Sequence, residues 1–169
     1  MIKRMRRSKY KGQGLVEFAL VIPQILLLLM GVIEFGWLVF NYTQLYNGLR
    51  ESLRYGSVPS FSTTPNYENC AEIRNAIRNT APQLGVTDAE ITIQFDPGNY
   101  GVGTSTSYVA DCNGAGGAFE FLNGNTSVTA GNRIIVTVNH KSQFLTPIIS
   151  TFDPAGFTIY FTAARTIYP

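Results

Sequence analysis

The pattern of hydrophobic and polar positions divides this chain into an apolar N-terminal segment and a more polar remainder. Residues 15–40, the apolar segment, contain few polar side chains, and residues 18–33 within it carry no charge at all. At a rise of about 1.5 Å per residue, the apolar segment would form a helix of roughly 39 Å, longer than a hydrocarbon core of about 30 Å. The pattern therefore predicts one transmembrane helix over residues 15–40.

The same helix is predicted to continue past the membrane and to end near residue 57. In residues 41–58, apolar side chains recur at intervals of three and four, which is the spacing of one helix face. They are Tyr42, Leu45, Tyr46, Leu49 and Leu53. The charged residues of this stretch lie off that face, and Gly56 supplies a stop signal. We therefore expect one long helix over residues 13–58, half facing lipid and half amphipathic.

The rest of the chain is predicted to form a small α+β domain outside the membrane. Residues 59–66 are a polar linker, and residues 67–169 are a head domain with one helix packed on an antiparallel sheet of about four strands. The head helix is expected from about Asn66 to Ala81. The expected strands are residues 90–95, 105–111, 132–140 and 156–167. The glycine-rich stretches, expected to form loops, are residues 98–103 and 113–117.

The distribution of charge predicts the orientation of the membrane helix. The basic leader, residues 1–12, holds six of the thirteen Lys and Arg, all of them before the span. The positive-inside rule therefore places the N-terminus in the cytoplasm and everything after Phe40 outside. Without the leader, seven basic side chains remain against eleven acidic ones, a net charge of −4. The basic pI thus belongs to the leader and is not a sign of nucleic-acid binding.

A cleaved secretory signal is the alternative interpretation of the apolar segment. Such a signal would have a shorter apolar region, followed by a small-x-small cleavage site. Residues 36–60 contain no evident site of this kind, and no cysteine lies near the span to carry a lipid. The sequence therefore favours a retained helix.

The residues GQGLVEF at 12–18 lie where the leader meets the apolar segment. A glycine, four residues and a glutamate ahead of a hydrophobic helix form the layout of a prepilin processing site. Cutting after Gly12 would make Gln13 the new N-terminus and Glu17 the fifth residue. Gly12 suits a peptidase that takes the backbone in an extended form, because glycine has no side chain in the way. A basic anchor followed by a chance glycine and glutamate is the alternative.

Two carboxylates bracket the uncharged part of the helix. Glu17 and Glu34 are separated by sixteen uncharged residues, and a charged group at mid-bilayer costs roughly 2.5–3.5 kcal/mol. We expect Glu17 to meet the free α-amine of Gln13 on a neighbouring subunit, which would set the axial register of a helix bundle. Glu34 is a second assembly candidate, although near the outer edge it could instead reach the interface. Pro23 removes one backbone hydrogen bond and is expected to kink or loosen the helix.

Cys70 and Cys112 are the only cysteines of the chain. Both fall outside the membrane in the predicted topology, where disulfides persist. A bridge between them would fasten the head helix to the sheet and stabilise the domain by roughly 3–4 kcal/mol. Two free thiols are the alternative. Two cysteines are too few for a zinc site, and no metal or other cofactor is expected.

Catalysis has little support in this sequence. His140 is the only histidine, and we expect it to face solvent from a strand. No cluster of Ser, His and acid stands out, and no glycine-rich phosphate loop of the right spacing occurs. Asp96, Asn99 and Asp111 could bind calcium, although turn formation explains these residues better. We therefore expect a protein that is not an enzyme.

Residues 12–56 resemble the N-terminal segment of the TadE-like proteins, the pseudopilins or minor pilins of bacterial tight-adherence (Flp-type) pili. The matching elements are Gly12, Glu17-Phe18-Ala19-Leu20-Val21, Pro23, GVIEFG at 31–36, and Arg50-Glu51 with Arg54. The resemblance implies cutting by a prepilin peptidase. It also implies association with other pilin or pseudopilin subunits, an assembly ATPase and inner-membrane platform proteins, in a type IV pilus that supports surface adhesion. Residues 48–54 contain fewer alanines than is usual in the family.

These inferences together predict a structural subunit held in the inner membrane, with its head outside. On assembly its helix would leave the lipid for a shared helical core, a transfer that costs little because lipid tails are about as apolar as leucine. The alternative is a permanently anchored binding module without an assembly role. Its head would bind a surface or a glycan, with exposed Tyr67, Tyr100 and Tyr108 as candidate contacts.

Overall fold

The computed structural model describes residues 12–60, 63–98 and 108–168. The predicted fold class is confirmed, since a long apolar N-terminal helix precedes a small domain with helices and an antiparallel sheet. The chain divides into two compact units, Met1–Leu38 and Val39–Pro169. Apart from Gly12, the predicted leader lies outside the described residues, and the predicted domain boundaries stay predictions.

The described part of the chain contains α-helices, short 3-10 helices and strands in a mixed order. The α-helices are α1 Gln13–Ser57, α2 Cys70–Thr80 and α3 Pro147–Phe152. The 3-10 helices are Asn66–Glu68, Pro82–Leu84 and Asp88–Glu90. The strands are β1 Ile91–Asp96, β2 Ala110–Gly114, β3 Ala118–Phe121, β4 Arg133–Ser142 and β5 Phe157–Thr166.

The long helix α1 runs unbroken for 45 residues with Pro23 inside it. Its end at Ser57 agrees with the predicted stop. In residues 41–57, the packed segment, three members of the predicted stripe lie in the core, where Leu45, Leu49 and Leu53 are at most 5% exposed. The other two members, Tyr42 and Tyr46, are 51% and 44% exposed. The helical spacing of these leucines therefore identified the buried face correctly.

The packed segment and α2 approach each other closely at Gly48. A Cβ added to Gly48 would lie 3.2 Å from both the Cα and the carbonyl oxygen of Ile77. At Gly56, an added Cβ would lie 2.5 Å from the end of the Ile134 side chain. Because these two glycines have no side chain, the packed segment can pack closely against α2 and β4.

Helix α2 begins later than the sequence predicted. Residues Asn66–Glu68 form a 3-10 helix, and the Asn69 side chain then accepts a hydrogen bond from the N–H of Glu72 at 3.2 Å. This N-cap starts α2 at Cys70, because the asparagine oxygen satisfies one of the free N–H groups of the first turn. Ile73 and Ile77 carry the buried face of α2 into the core.

The sheet has five strands in the order β3-β2-β1-β4-β5, and all neighbouring strands are antiparallel. Alternate residues of β1 and β4 point to the same core as the helices. They are Ile91, Ile93, Phe95, Ile134, Val136 and Val138. The prediction of about four strands did not include β3, which directly follows the glycine-rich stretch 113–117 and pairs with β2. The predicted strand at 105–111 begins at Ala110 in the structure, and residues 105–107 lie outside the described part.

Candidate processing and assembly segment

The bond between Gly12 and Gln13 lies at the first residue of α1. The Gly12 carbonyl accepts a hydrogen bond from the N–H of Val16 at 3.2 Å, so it is the first acceptor of the helix. A Cβ added at Gly12 would meet no atom within 4 Å. The described part of the chain therefore gives no steric reason for glycine here. A peptidase that requires an extended backbone would need to open only the first helical turn.

Glu17 has a partner within its own helix that sequence reasoning missed. The Gln13 amide Nε2 donates to Glu17 Oε1 at 3.1 Å, and both side chains are exposed. Residues four apart lie on the same side of a helix, so the spacing of the two could have indicated this contact. The contact places the Glu17 carboxylate one helical turn from the Gln13 backbone nitrogen. That nitrogen would become the α-amine after cleavage.

Between Leu15 and Phe35, apolar side chains are exposed on every side of the helix. Thirteen large apolar side chains between Leu15 and Phe35 are exposed, each by between 50% and 71%. Five of them, Ile25 to Leu29, are consecutive, and successive helical residues point about 100° apart. Soluble monomers rarely expose apolar surface of this extent. Among the described residues, α1 is the one helix long and apolar enough to cross a membrane.

The other singled-out residues of this segment differ in their surroundings. Pro23 is exposed, and a Cβ added at Gly31 or Gly36 would meet nothing within 4 Å. Glu34 is only 9% exposed, although Phe35 beside it is 67% exposed. The two acidic residues are thus unlike, with Glu17 open to solvent and Glu34 hidden from it.

In the head domain, Cys70 and Cys112 form the predicted disulfide, with an S–S distance of 2.01 Å. The bridge joins the first residue of α2 to β2. Arg74, one turn further along α2, donates from Nη2 to the Cys112 carbonyl at 2.7 Å and from Nη1 to the Gly117 carbonyl at 2.8 Å. Its side chain is buried. A covalent bond and a buried guanidinium therefore hold the same joint between helix and sheet.

The prediction that His140 faces solvent is wrong. His140 is 6% exposed, and its Nδ1 lies 3.0 Å from Glu90 Oε1. The cause is the alternation of β4, which places His140 on the same face as Val136 and Val138. The alternation of side chains along the strand therefore directs the His140 side chain into the core, although histidine is polar.

Glu90 is the acidic partner of this buried histidine. Burial disfavours the charged carboxylate, but hydrogen bonds from the Thr87 N–H and hydroxyl, together with the charge of His140, favour it. The N–H of Lys141 adds to this effect. The favourable contacts prevail and lower the pKa of Glu90 below its ordinary value of 4.5.

The acidic residues considered for calcium already have protein partners. Asp96 accepts from Arg133 at 2.9 and 2.5 Å and from the Gly98 N–H at 2.9 Å. The hydrogen bond and charge of Asp96 raise the pKa of Arg133, against the opposing effect of burial. Asp111 accepts from the N–H and the side-chain amide of Asn113 within strand β2, where its register with β3 shifts, and not in the expected turn. Asn99 lies outside the described residues, among which no group of three or more His, Cys, Asp or Glu could hold a metal ion.

Tyr67, one of the tyrosines considered for glycan binding, was expected to be exposed but is half-buried. Its half-buried ring packs against Phe95 and Phe119, with centroids 6.2 and 6.0 Å away. Burial, and then the charge of Glu68, raise the pKa of Tyr67. Tyr108 is half-buried as well, and Tyr100 lies outside the described residues.

The comparisons with known proteins concern the N-terminal segment. Residues 12–54, about a quarter of the chain, match the family model of the TadE-like protein. The resemblance stated from the sequence is therefore confirmed over this segment. No curated protein and no solved structure matches the chain.

Proposed function

We propose that this chain is a pilin-like, non-enzymatic membrane protein associated with a tight-adherence pilus. The observation that carries the proposal is the coincidence of two features in one segment. Residues 12–54 match the TadE-like family, and the same helix exposes apolar side chains all around its axis over residues 15–35. A segment with this surface needs an apolar partner outside its own chain.

Two such partners follow one another in the proposed mechanism. The apolar segment first anchors the subunit in the inner membrane, with the leader in the cytoplasm and the head outside. During assembly the helix leaves the lipid for a core of other pilin or pseudopilin helices. Packing, small residues and polar contacts set the geometry of that core, because exchanging lipid for leucine releases little hydrophobic free energy. The assembly platform and its ATPase would drive the extraction.

The proposed processing step is cleavage between Gly12 and Gln13 by a prepilin peptidase. The open surroundings of Gly12 support it, since the glycine has no packing role in the described residues. Cleavage would release the six basic residues that hold the N-terminus at the cytoplasmic face. The mature subunit would then be free to move outward.

Glu17 is proposed to set the register between neighbouring subunits. Its carboxylate would bind the new α-amine of Gln13 on the next helix. Its position supports this, because the Glu17 carboxylate is exposed in the first turns of α1, where it meets Gln13 Nε2 at 3.1 Å. Pro23 would loosen the helix nearby. Glu34 is a second proposed assembly contact, and because its side chain is only 9% exposed in the single chain, it would have to turn outward to reach another subunit.

The experiment is an intact-mass measurement on the chain expressed in cells that have the pilus machinery. Wild type is expected to begin at Gln13. Gly12→Leu is expected to keep the leader, because the added side chain obstructs the extended backbone at the cleaved bond. Gly14→Leu is the matched control, since an added Cβ at Gly14 also meets nothing within 4 Å, and it is expected to be cut. A wild-type chain that retains Met1 in these cells would refute the proposal.

The same cells test the role of Glu17. Glu17→Ala is expected to be cut normally but to be depleted from the sheared pilus fraction. Gln13→Ala removes the intrachain hydrogen bond and keeps the α-amine, so it is expected to enter the fraction as wild type does. Normal incorporation of Glu17→Ala would remove the carboxylate from the mechanism and leave the anchoring proposal intact.

A further inference from the structure

We infer that the connection between β4 and β5, residues 143–156, lies on the outer surface of the lipid bilayer and inserts apolar side chains into it. This inference rests on the proposed function, because it requires the apolar segment to span a membrane. It assigns a second lipid contact, made by the head domain and separate from the helix that anchors it.

Asn41 connects the head domain to the level of the bilayer surface. This residue directly follows the apolar segment in the chain, so covalent connectivity alone keeps it at the bilayer surface. The Asn41 side chain is fully buried, and its Nδ2 donates to Ser142 Oγ at 2.8 Å. Ser142 is the last residue of β4. The end of β4 therefore lies at the same level as Asn41.

The connection between β4 and β5 leaves and returns at the level of Asn41. It starts directly after Ser142 and ends at Phe157, and these two residues are register partners in the β4–β5 ladder. The rings of Phe144 and Phe157 pack with centroids 5.8 Å apart, which ties the beginning of the connection to the first residue of β5. Residues 143–156 are thus held at the end of the sheet next to Asn41.

The connection is uncharged over most of its length. No residue from Gln143 to Phe152 is charged, and the first charge of the connection is Asp153. Leu145 is 52% exposed, and Pro147 and Thr151 of α3 are exposed as well. Gln143 to Phe152 thus form one uncharged stretch directly after Ser142, with Leu145 half-exposed within it. It suits the interfacial region of a bilayer, where short apolar elements bury their side chains at the boundary between headgroups and acyl chains.

Aromatic residues near the C-terminal end of the apolar segment also indicate that the bilayer surface lies at the level of Asn41. Trp37, Phe40 and Tyr42 fall within six residues of one another at this end, and Trp and Tyr are enriched where a helix leaves the bilayer. The half-exposed ring of Tyr42 packs on Phe161 of β5 with a centroid distance of 4.6 Å. The tyrosine that follows the span therefore touches the same two-stranded region that carries the connection.

The experiment measures quenching of tryptophan fluorescence by brominated lipid. The chain has a single tryptophan, Trp37. In a Trp37→Phe background, Leu145→Trp and Thr151→Trp place probes in the connection, and Phe121→Trp is the control on β3, where the native ring is 40% exposed. Each full-length variant is reconstituted at a low protein-to-lipid ratio in vesicles of phosphatidylcholine and phosphatidylglycerol. The bromines sit near the headgroup end of the acyl chains.

Both connection probes are expected to show blue-shifted emission and several-fold stronger quenching than the Phe121→Trp control. Quenching equal to the control would overturn the inference. A blue shift that depends on protein concentration, without quenching by the lipid, would also overturn it, because the connection would then bind protein. Flotation of the vesicles separates the two claims. A chain that does not float with lipid refutes both, whereas one that floats without quenching at the connection refutes only the lipid contact.

Discussion

The two halves of α1 are parts of one unbroken helix built for different surroundings. In the packed segment, leucines at one-turn spacing are buried, and the charged Arg50 and Arg54 face outward. In the apolar segment, large side chains are exposed in every direction. The first pattern is that of a helix with its partner in the same chain. The second pattern, with thirteen exposed large apolar side chains between Leu15 and Phe35, indicates that their stabilising contacts come from lipid or from other helices.

The glycines of the two halves show the same difference. Gly48 allows close contact with the backbone of Ile77, and an added Cβ there would lie 3.2 Å away. Gly36 has nothing within 4 Å of an added Cβ. A glycine inside a helix costs about 1 kcal/mol relative to alanine. At Gly48 packing within the chain offsets this cost, whereas at Gly36 any compensation must come from outside the described residues.

Removing the disulfide is expected to have the largest effect on the head and none on the anchor. Cys70 and Cys112 are 42 residues apart, and a loop of that length corresponds to about 4 kcal/mol in the chain-entropy model. The double substitution Cys70→Ser with Cys112→Ser should lower the free energy of unfolding of the head by this order. Chemical unfolding in detergent, followed by near-ultraviolet circular dichroism, measures it.

The matched readout for the cysteine variant is its distribution between membrane and soluble fractions. Retention in the membrane should equal that of wild type, because the bridge lies in α2 and β2. An unchanged unfolding midpoint would show that the Arg74 hydrogen bonds hold the joint by themselves. Loss of membrane retention would contradict the separation of the two halves.

Enlarging the glycines is expected to give the next largest effect. Gly48→Leu should destabilise the head by about 1–3 kcal/mol, the usual range for overpacking a filled interface. Gly36→Leu should leave head stability unchanged, because the added side chain meets open space. The unfolding midpoints of the two variants in the same detergent provide the comparison. Equal midpoints would mean that the packed segment does not press on α2.

The sequence predicted these helices well where one physical signal dominated. The length of the apolar segment and the leucine spacing of the packed segment are properties of a single helix, and they needed no knowledge of the fold. The start of α2 was less well predicted, since the helix was expected from about Asn66, whereas Asn69 is the cap and the helix begins at Cys70. Element type followed from periodicity, whereas the boundary depended on one side chain.

Other features depended on contacts between elements and could not be predicted in the same way. His140 was expected to face solvent from its place between Asn139 and Lys141, although the alternation of Ile134, Val136 and Val138 assigned it to the core. The role of Arg74 depends on Cys112 and Gly117, which lie about forty residues away. Strand β3 is four residues long, too short to show a period. At the start of α1, the spacing of Gln13 and Glu17 could have predicted their contact. A partner on another chain cannot be predicted from the spacing of residues within one helix.

The pair of His140 and Glu90 is expected to give the smallest effect, about 1 kcal/mol, because glutamine keeps a hydrogen-bonding side chain beside the buried His140 and loses only the charge. Because the folded-state pKa of Glu90 lies below its ordinary 4.5, its charged form stabilises the fold above that pH. This contribution is lost as the pH falls through the lowered value. Melting curves from about pH 7 to about pH 3 should therefore show Glu90→Gln less stable than wild type only at the upper end.

Glu120→Gln is the control for this pair, since Glu120 is exposed on β3. It is expected to shift the melting temperature far less than Glu90→Gln near neutral pH. A Glu90→Gln variant as stable as wild type across the whole range would show that the buried pair has no net effect on folding.

The central claim is that the apolar segment requires an apolar partner outside its own chain. Extraction of membranes from cells that express the wild-type chain tests it most directly. The chain is predicted to stay in the pellet through washes with high salt and with alkaline carbonate, and to be released only by detergent. A chain found freely soluble and monomeric, without detergent, would contradict the account.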